Sequence, residues 1–129
     1  MGGGAAAGAR VIDGSTASMF ALSATTRVYL RSGATDLRLS FEGLHALVVG
    51  VLQADALSGH LFCFCNRTKN RIKVLYWDGS GLWVCAKRLE GGTFAWPADA
   101  AGATEIDQAQ LRLLLEGFEL RSRRGWYRR

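Results

Sequence analysis

The sequence lacks most of the signals that mark metal-binding, nucleotide-binding or membrane proteins. Its three cysteines form no Cys-x-x-Cys pair, so no zinc motif is indicated and we expect reduced thiols. Residues 79–81, Gly-Ser-Gly, join two strand-like runs without a following lysine, which excludes a phosphate loop. No run reaches the ~18 apolar residues that a membrane helix needs. We therefore expect no cofactor, no membrane contact and a cytoplasmic location.

Catalytic constellations are also scarce. Only His45 and His60 could act as bases at neutral pH, and neither has a convincing nucleophile. Asp78 is either a catalytic carboxylate or a turn residue, and its Asp-Gly-Ser-Gly context favours the turn. A small nuclease using Asp36, Glu42 and Asp78 is a weaker alternative, because nothing in the sequence brings these carboxylates together. We expect no enzymatic activity, no metal and no small-molecule substrate.

What the sequence does contain is positive charge in two blocks. The chain has 129 residues, enough for one domain, and a net charge of +5. Residues 60–90 have six basic and two acidic side chains, and residues 121–129 have five arginines and no acid. Such blocks suit a polyanion such as nucleic acid, although a solvated basic surface is the simpler alternative.

Composition divides the chain into three segments. Residues 1–24 are rich in Gly, Ala and Ser and predict a flexible leader. Residues 25–120 predict a single α+β domain, and residues 121–129 predict a basic tail whose arginines could pair with phosphates. The tail residues assigned to binding are Arg121, Arg123 and Arg124.

Short runs of β-branched and aromatic residues predict an antiparallel meander of four to five strands. Turn-forming residues separate these runs at hairpin distances. The expected strands are residues 27–31, then HLFCFCN, RIKVLYW, LWVCAKRLE and finally TFAWP at residues 93–97.

Apolar residues at spacings of three and four predict two helices. The first is long, at about residues 36–53, and should pack on one face of the sheet. The second is short, at about residues 108–117. The expected caps are Thr35 or Asp36 for the first, and Asp107 with Gln110 for the second.

Alternation along the strands separates two faces of the predicted sheet. Four-residue loops at 67–70 and 78–81 place Arg71 opposite Arg88, with Lys73 alongside. We expect the long helix on the mostly apolar face, which carries Leu61, Cys63, Cys65, Ile72, Val74, Tyr76, Trp83 and Cys85. The other face should stay open and carries His60, Phe62, Phe64, Leu75, Trp77 and Val84 beside the cations.

The open face and its loop are the predicted binding surface. Like charges opposite each other on neighbouring strands are destabilising, and a bound anion would remove that cost. Alternatively, the cation stems cover Phe62 and Phe64 and send their charged heads into water. The candidate DNA- or partner-binding residues in this region are Arg67, Lys69, Arg71, Lys73, Trp77, Lys87 and Arg88.

Several stretches, in order and with matching spacing, resemble one protein family. They include TDLRLSFEGL (35–44), SGHLF (58–62), NRIKVLYWDGSGL (70–82), KRLE (87–90), FAWP (94–97) and LLLEGF (113–118). From about Val28 to Leu120 the chain resembles the small TnpB-type accessory protein of the sixty-six family of bacterial insertion sequences. That family is distinct from the RNA-guided nuclease that shares the name TnpB.

The resemblance implies a bacterial accessory factor, encoded beside a larger transposase, that efficient transposition needs and that has no established catalytic residues. Leu39 stands where the family usually has lysine, which argues against the first helix as a main DNA contact. Two hypotheses follow. The first is a non-catalytic protein that associates with DNA, such as terminal repeats on the nucleoid, through its basic and aromatic face. The second is an adaptor that binds the transposase without contacting DNA.

Overall fold

The fold is α+β, with a five-stranded mixed sheet between two helices. The computed structural model describes residues 22–98 and 102–117, so most of the predicted leader and the whole basic tail lie outside the described residues. The elements are β1 Val28–Arg31, α1 Phe41–Gly50, β2 Leu61–Cys65, β3 Arg71–Trp77, β4 Leu82–Arg88, β5 Ala103–Ile106 and α2 Gln108–Leu115. No helix in this part of the chain has the length and apolar character to cross a bilayer.

The sheet order is β4-β3-β2-β1-β5. Strands β2, β3 and β4 form the predicted antiparallel meander, with Phe64 opposite Lys73 and Arg71 opposite Arg88. A purely antiparallel sheet is nevertheless wrong, because β1 runs parallel to β2 and antiparallel to β5. The connection from β1 to β2 contains α1, and such a crossover returns the chain to the same end of the sheet.

The last predicted strand does not form. Residues 93–97 instead run as irregular chain that buries Phe94 and Trp96. The Trp96 indole N–H donates to the Arg31 carbonyl at 2.8 Å, which fixes this segment to the end of β1. The edge position beside β1 is taken by β5, which the sequence patterns did not predict.

Helix α1 is shorter than predicted. The Asp36 carboxylate accepts from the backbone N–H and guanidinium of Arg38, so this segment forms a local turn rather than the first helical turn. The helix begins after Ser40, which makes no side-chain cap bond, and Gln53 has a φ of 52° beyond its end. The apolar residues that precede and follow α1 in the chain also pack on the core. Their spacing continues the helical pattern, and for this reason the sequence predicted a longer helix.

Helix α2 agrees with the prediction, including its capping box. The Asp107 carboxylate accepts from the Gln110 N–H at 2.7 Å, and the Gln110 side chain accepts from the Asp107 N–H at 2.8 Å. Both bonds satisfy amides that the first helical turn would otherwise leave without partners. Leu111 and Leu114 then face the core.

Each helix covers one face of the sheet. Helix α2, with Phe94 and Trp96, packs on the face that carries Leu61 and Cys63. Helix α1 packs through Leu44 and Val48 on the opposite face. Strand β2 lies between the two layers, and all five of its residues are buried.

Candidate functional site

The face of the sheet that was predicted to be exposed is covered by α1. Leu44 and Val48 of α1 pack on Phe62, Phe64 and Leu75, and the two phenylalanines are 1% and 0% exposed. The expectation that α1 packs on the other face is therefore wrong. The physical reason is that the central part of the sheet is apolar on both faces. Helix α2 and the segment before it already cover the face that carries Cys63. Phe62 and Phe64 cannot stack on a ligand.

The cations remain accessible at the end of the sheet where β3 begins and β4 ends. Arg71 and Arg88 are exposed and lie opposite each other in the ladder. The Leu89 N–H donates to the Asn70 carbonyl at 2.8 Å, which makes the neighbouring Arg71 and Arg88 a non-hydrogen-bonded pair. Side chains lie closest in such pairs, so the two guanidinium groups repel each other.

A shallow cavity of about 430 Å³ lies at this end of the sheet. Its basic lining comes from Arg71, Lys73, Lys87 and Arg88, and its other lining includes Leu37 and Glu90. Lys73 is half-buried and donates to the Leu39 carbonyl at 2.8 Å, so it contributes charge but already holds one partner. The cavity therefore offers an anion a positive surface with a hydrophobic wall.

Glu90 is the acidic neighbour of this cluster. It lies 3.1 Å from Arg88, with the two side chains 79% and 57% exposed. Exposed ion pairs of this kind contribute about 0–1 kcal/mol, so a phosphate could displace Glu90 at little cost. Arg71 has no acidic partner among the described residues.

The loop between β2 and β3 presents two further cations. Arg67 and Lys69 are exposed, and Lys69 adopts a φ of 61°, in the left-handed region. The side chain of Asn66 holds the loop by accepting from the backbone N–H of both Asn70 and Arg71 at 3.0 Å. We call Arg67, Lys69, Arg71, Lys73 and Arg88 the basic end.

Asn66 is a structural residue of the site that the sequence analysis missed. Its side chain also donates to the Asn70 carboxamide oxygen at 2.8 Å, which closes the loop into a small hydrogen-bonded network. The spacing of two asparagines around Arg-Thr-Lys was the available signal, because asparagine side chains often replace backbone groups in turns. The network gives the basic end a fixed backbone.

Two of the predicted residues do not belong to the basic end, although Lys87 also lines the cavity. Lys87 is paired with Ile72 on the opposite face, and its ammonium group donates to the Leu115 carbonyl at the end of α2. Trp77 lies at the far end of β3, six residues or about 20 Å from Arg71 at the strand rise of ~3.3 Å. The predicted arginines at positions 121, 123 and 124 lie outside the described residues.

Asp78 is a turn residue, as its sequence context favoured. Its carboxylate accepts from the backbone N–H of Ser80 and Gly81 and from the indole N–H of Trp83, at 2.8 to 2.9 Å. The Trp83 bond, followed by the two backbone bonds, lowers the pKa of Asp78 to about 2. Within residues 22–98 and 102–117, no three His, Cys, Asp or Glu side chains lie close enough to hold a metal.

The bonds to Asp78 predict an acid-dependent loss of stability. A carboxylate whose folded pKa lies below its ordinary value of 3.8 stabilises the fold above that value and loses its contribution as pH falls towards about 2. Wild type should therefore exceed Asp78→Asn in urea midpoint at neutral pH, and the difference should shrink across this range. Trp83→Phe, which removes the indole donor and keeps an aromatic ring, should reproduce part of the effect. A difference that does not change with pH would contradict this role.

The three thiols are free, as predicted. Cys63 and Cys65 are buried, and this burial raises the pKa of Cys65 to about 12 and that of Cys63 further. Cys85 is partly exposed on β4, on the same face as Cys63, and the two flank Val74. Cys63 and Cys65 are therefore core side chains with little thiolate at neutral pH.

Comparison with known proteins gives one family and two relatives. A family model described as "IS66 Orf2 like protein" matches residues 26–125, a span that includes the strands and helices of the described residues. "Uncharacterized protein y4hO" of Sinorhizobium fredii is 41% identical over 95 residues, which cover 74% of this chain and 83% of that protein. "Uncharacterized protein y4jC" of the same organism is 34% identical over 93 residues, which cover 72% and 80%. No solved structure matches this chain.

Proposed function

The chain belongs to the family of IS66 Orf2 like proteins, and on that premise we propose that it assists transposition by binding DNA phosphates with its basic end. As a member of this family it is an accessory protein associated with an insertion sequence, of a non-catalytic type. The transposase machinery of the element is its expected partner. The tail arginines would add sequence-independent affinity to the same contact.

Arg71 and Arg88 carry this proposal. They are exposed, they face each other at the closest kind of cross-strand position, and Arg71 has no acidic partner among the described residues. Two guanidinium groups in such a position favour a bridging anion, because it converts a repulsion into two charge-assisted hydrogen bonds. A phosphate group has the charge and the acceptor oxygens for this task.

The surrounding groups extend the contact beyond one phosphate. Arg67 and Lys69 project from the adjacent loop, whose backbone the Asn66 network holds in place. Lys73 adds charge from inside the cavity. Contacts of this kind position a protein on DNA without reading its sequence, so we propose binding that depends weakly on base sequence.

A salt titration tests the proposal. If about four cations of the basic end contact phosphates, the logarithm of the association constant should fall with the logarithm of salt concentration with a slope of about −4. Fluorescence anisotropy with the element's terminal repeats and with an unrelated duplex of equal length measures both the slope and the preference. Absence of binding to either duplex at low salt, alone or with transposase, removes the DNA role.

An adaptor is the second candidate, and exposed apolar residues on and after α1 favour it. Phe41, Val49, Val51 and Leu57 are between 44% and 53% exposed. Phe62, which the sequence analysis placed on the open face, is buried and unavailable for a protein contact. An adaptor should co-purify with the transposase after nuclease treatment, and should do so equally well when Arg71 and Arg88 are both changed to glutamate.

A further inference from the structure

Strand β4 is an edge strand of the described sheet, and its own residues carry little of the usual protection against pairing. It has seven residues, and no strand of residues 22–98 and 102–117 pairs with its outer side. Residues 82–86 contain neither a charge nor a proline, the two commonest devices that block edge-to-edge pairing. The two cations of β4 stand only at its end, at Lys87 and Arg88.

The hydrogen bonds at both ends of the β3-β4 ladder identify the outward backbone groups. The Asp78 N–H donates to the Gly81 carbonyl at 3.1 Å, and the Leu89 N–H donates to the Asn70 carbonyl at 2.8 Å. Because hydrogen-bonded pairs alternate along an antiparallel ladder, every second residue of β4 directs its N–H and C=O away from β3. These outward residues are Leu82, Val84, Ala86 and Arg88.

We propose that β4 pairs antiparallel with β4 of a second copy of this chain, about a two-fold axis at Cys85. The register aligns all seven residues and matches the outward groups of each copy. It sets Val84 against Ala86, Trp83 against Lys87, and Leu82 against Arg88 of the other copy. No like charges meet directly across this register, since each Lys87 faces an uncharged Trp83 of the other copy.

Helix α1 supports the same partner. It contacts β3 and β4, so joining two β4 edges brings the two copies of α1 onto one face of a ten-stranded sheet. With strands about 4.8 Å apart, helices centred over β3 of each copy lie about 14 Å from each other, so they can meet only through side chains that extend towards the axis. Phe41 and Val49 are exposed apolar side chains on α1.

The proposed axis places two Cys85 residues opposite each other, which allows a direct test on the wild-type chain. Directly opposite residues of a non-hydrogen-bonded pair have Cα atoms about 4.5 Å apart, within the range of disulfides. Diamide should therefore link two copies, the two thiols giving up two electrons and two protons to the reagent. Cys85→Ser should abolish the link, because the other two thiols, Cys63 and Cys65, are buried. The same variant should remain a dimer in sedimentation.

Ala86 supplies a matched pair of variants. Ala86→Pro removes an outward N–H and leaves the ladder with β3 intact, whereas Ala86→Ser keeps that N–H. Proline should raise the dimer dissociation constant by at least about tenfold, since symmetry removes two hydrogen bonds. Serine should change it by less than about twofold. A monomer in sedimentation, a dimer that Ala86→Pro does not weaken, or a link that survives Cys85→Ser would each overturn the proposal.

Discussion

Replacing both Arg71 and Arg88 with glutamate should weaken DNA binding on the order of a hundredfold and reduce the salt slope by about 2. Both side chains are exposed, so the change should leave the fold intact. The repulsion between the two arginines is lost, but a similar repulsion between the two glutamates takes its place, so the net effect on stability should be small. Anisotropy titrations at matched salt, with circular dichroism as a check on folding, measure the effect.

The matched control is Arg27→Glu with Arg112→Glu, which changes the net charge by the same amount away from the basic end. Arg27 precedes β1, and Arg112 is on α2. The control should lower affinity by less than about threefold if phosphates contact the basic end itself. Equal losses in the two variants would mean that net charge alone attracts DNA, and they would contradict a local site.

Phe64→Ala should cost about 3–5 kcal/mol of unfolding free energy, a large part of the stability of a domain this size. Phe64 is fully buried beneath α1, so truncating it leaves a cavity between the helix and the sheet. Urea denaturation followed by circular dichroism measures the loss. Phe64→Leu should cost less and keeps a folded protein available if the alanine variant unfolds.

Phe41→Ala is the matched control, because the same truncation removes a ring that is 46% exposed. It should cost less than about 1 kcal/mol. Similar losses in both variants would contradict the burial of the face that the sequence left open. This comparison therefore tests the packing of α1 directly.

The hairpins were predictable because their register is a local property. Loop lengths at residues 67–70 and 78–81 place Phe64 opposite Lys73 and Arg71 opposite Arg88, without reference to the rest of the chain. The capping box of α2 is equally local. Strand β5 was not predictable in this way, because its four residues, Ala-Thr-Glu-Ile, carry little pattern and pair with a strand more than seventy positions earlier.

The candidate site was predictable only in part, for a related reason. Alternation assigns side chains to faces, and it correctly grouped Arg71, Lys73 and Arg88. Alternation does not indicate which helix covers a face when both faces are apolar at the centre of the sheet. For this reason Phe62 and Phe64 were expected to be exposed to solvent. It also gave no weight to distance along a strand, which separates Trp77 from Arg71.

Strand β2 has a consequence for how the protein is made. Its sequence, LFCFC, is apolar on both sides and has no charge or proline, the pattern of segments that self-associate when uncovered. One side is closed by α1, which precedes it, and the other needs Leu111 and Leu114 of α2. Both sides of this strand are therefore covered only after the nascent chain has emerged from the ribosome beyond residue 114. Truncated chains that end before this residue should form inclusion bodies.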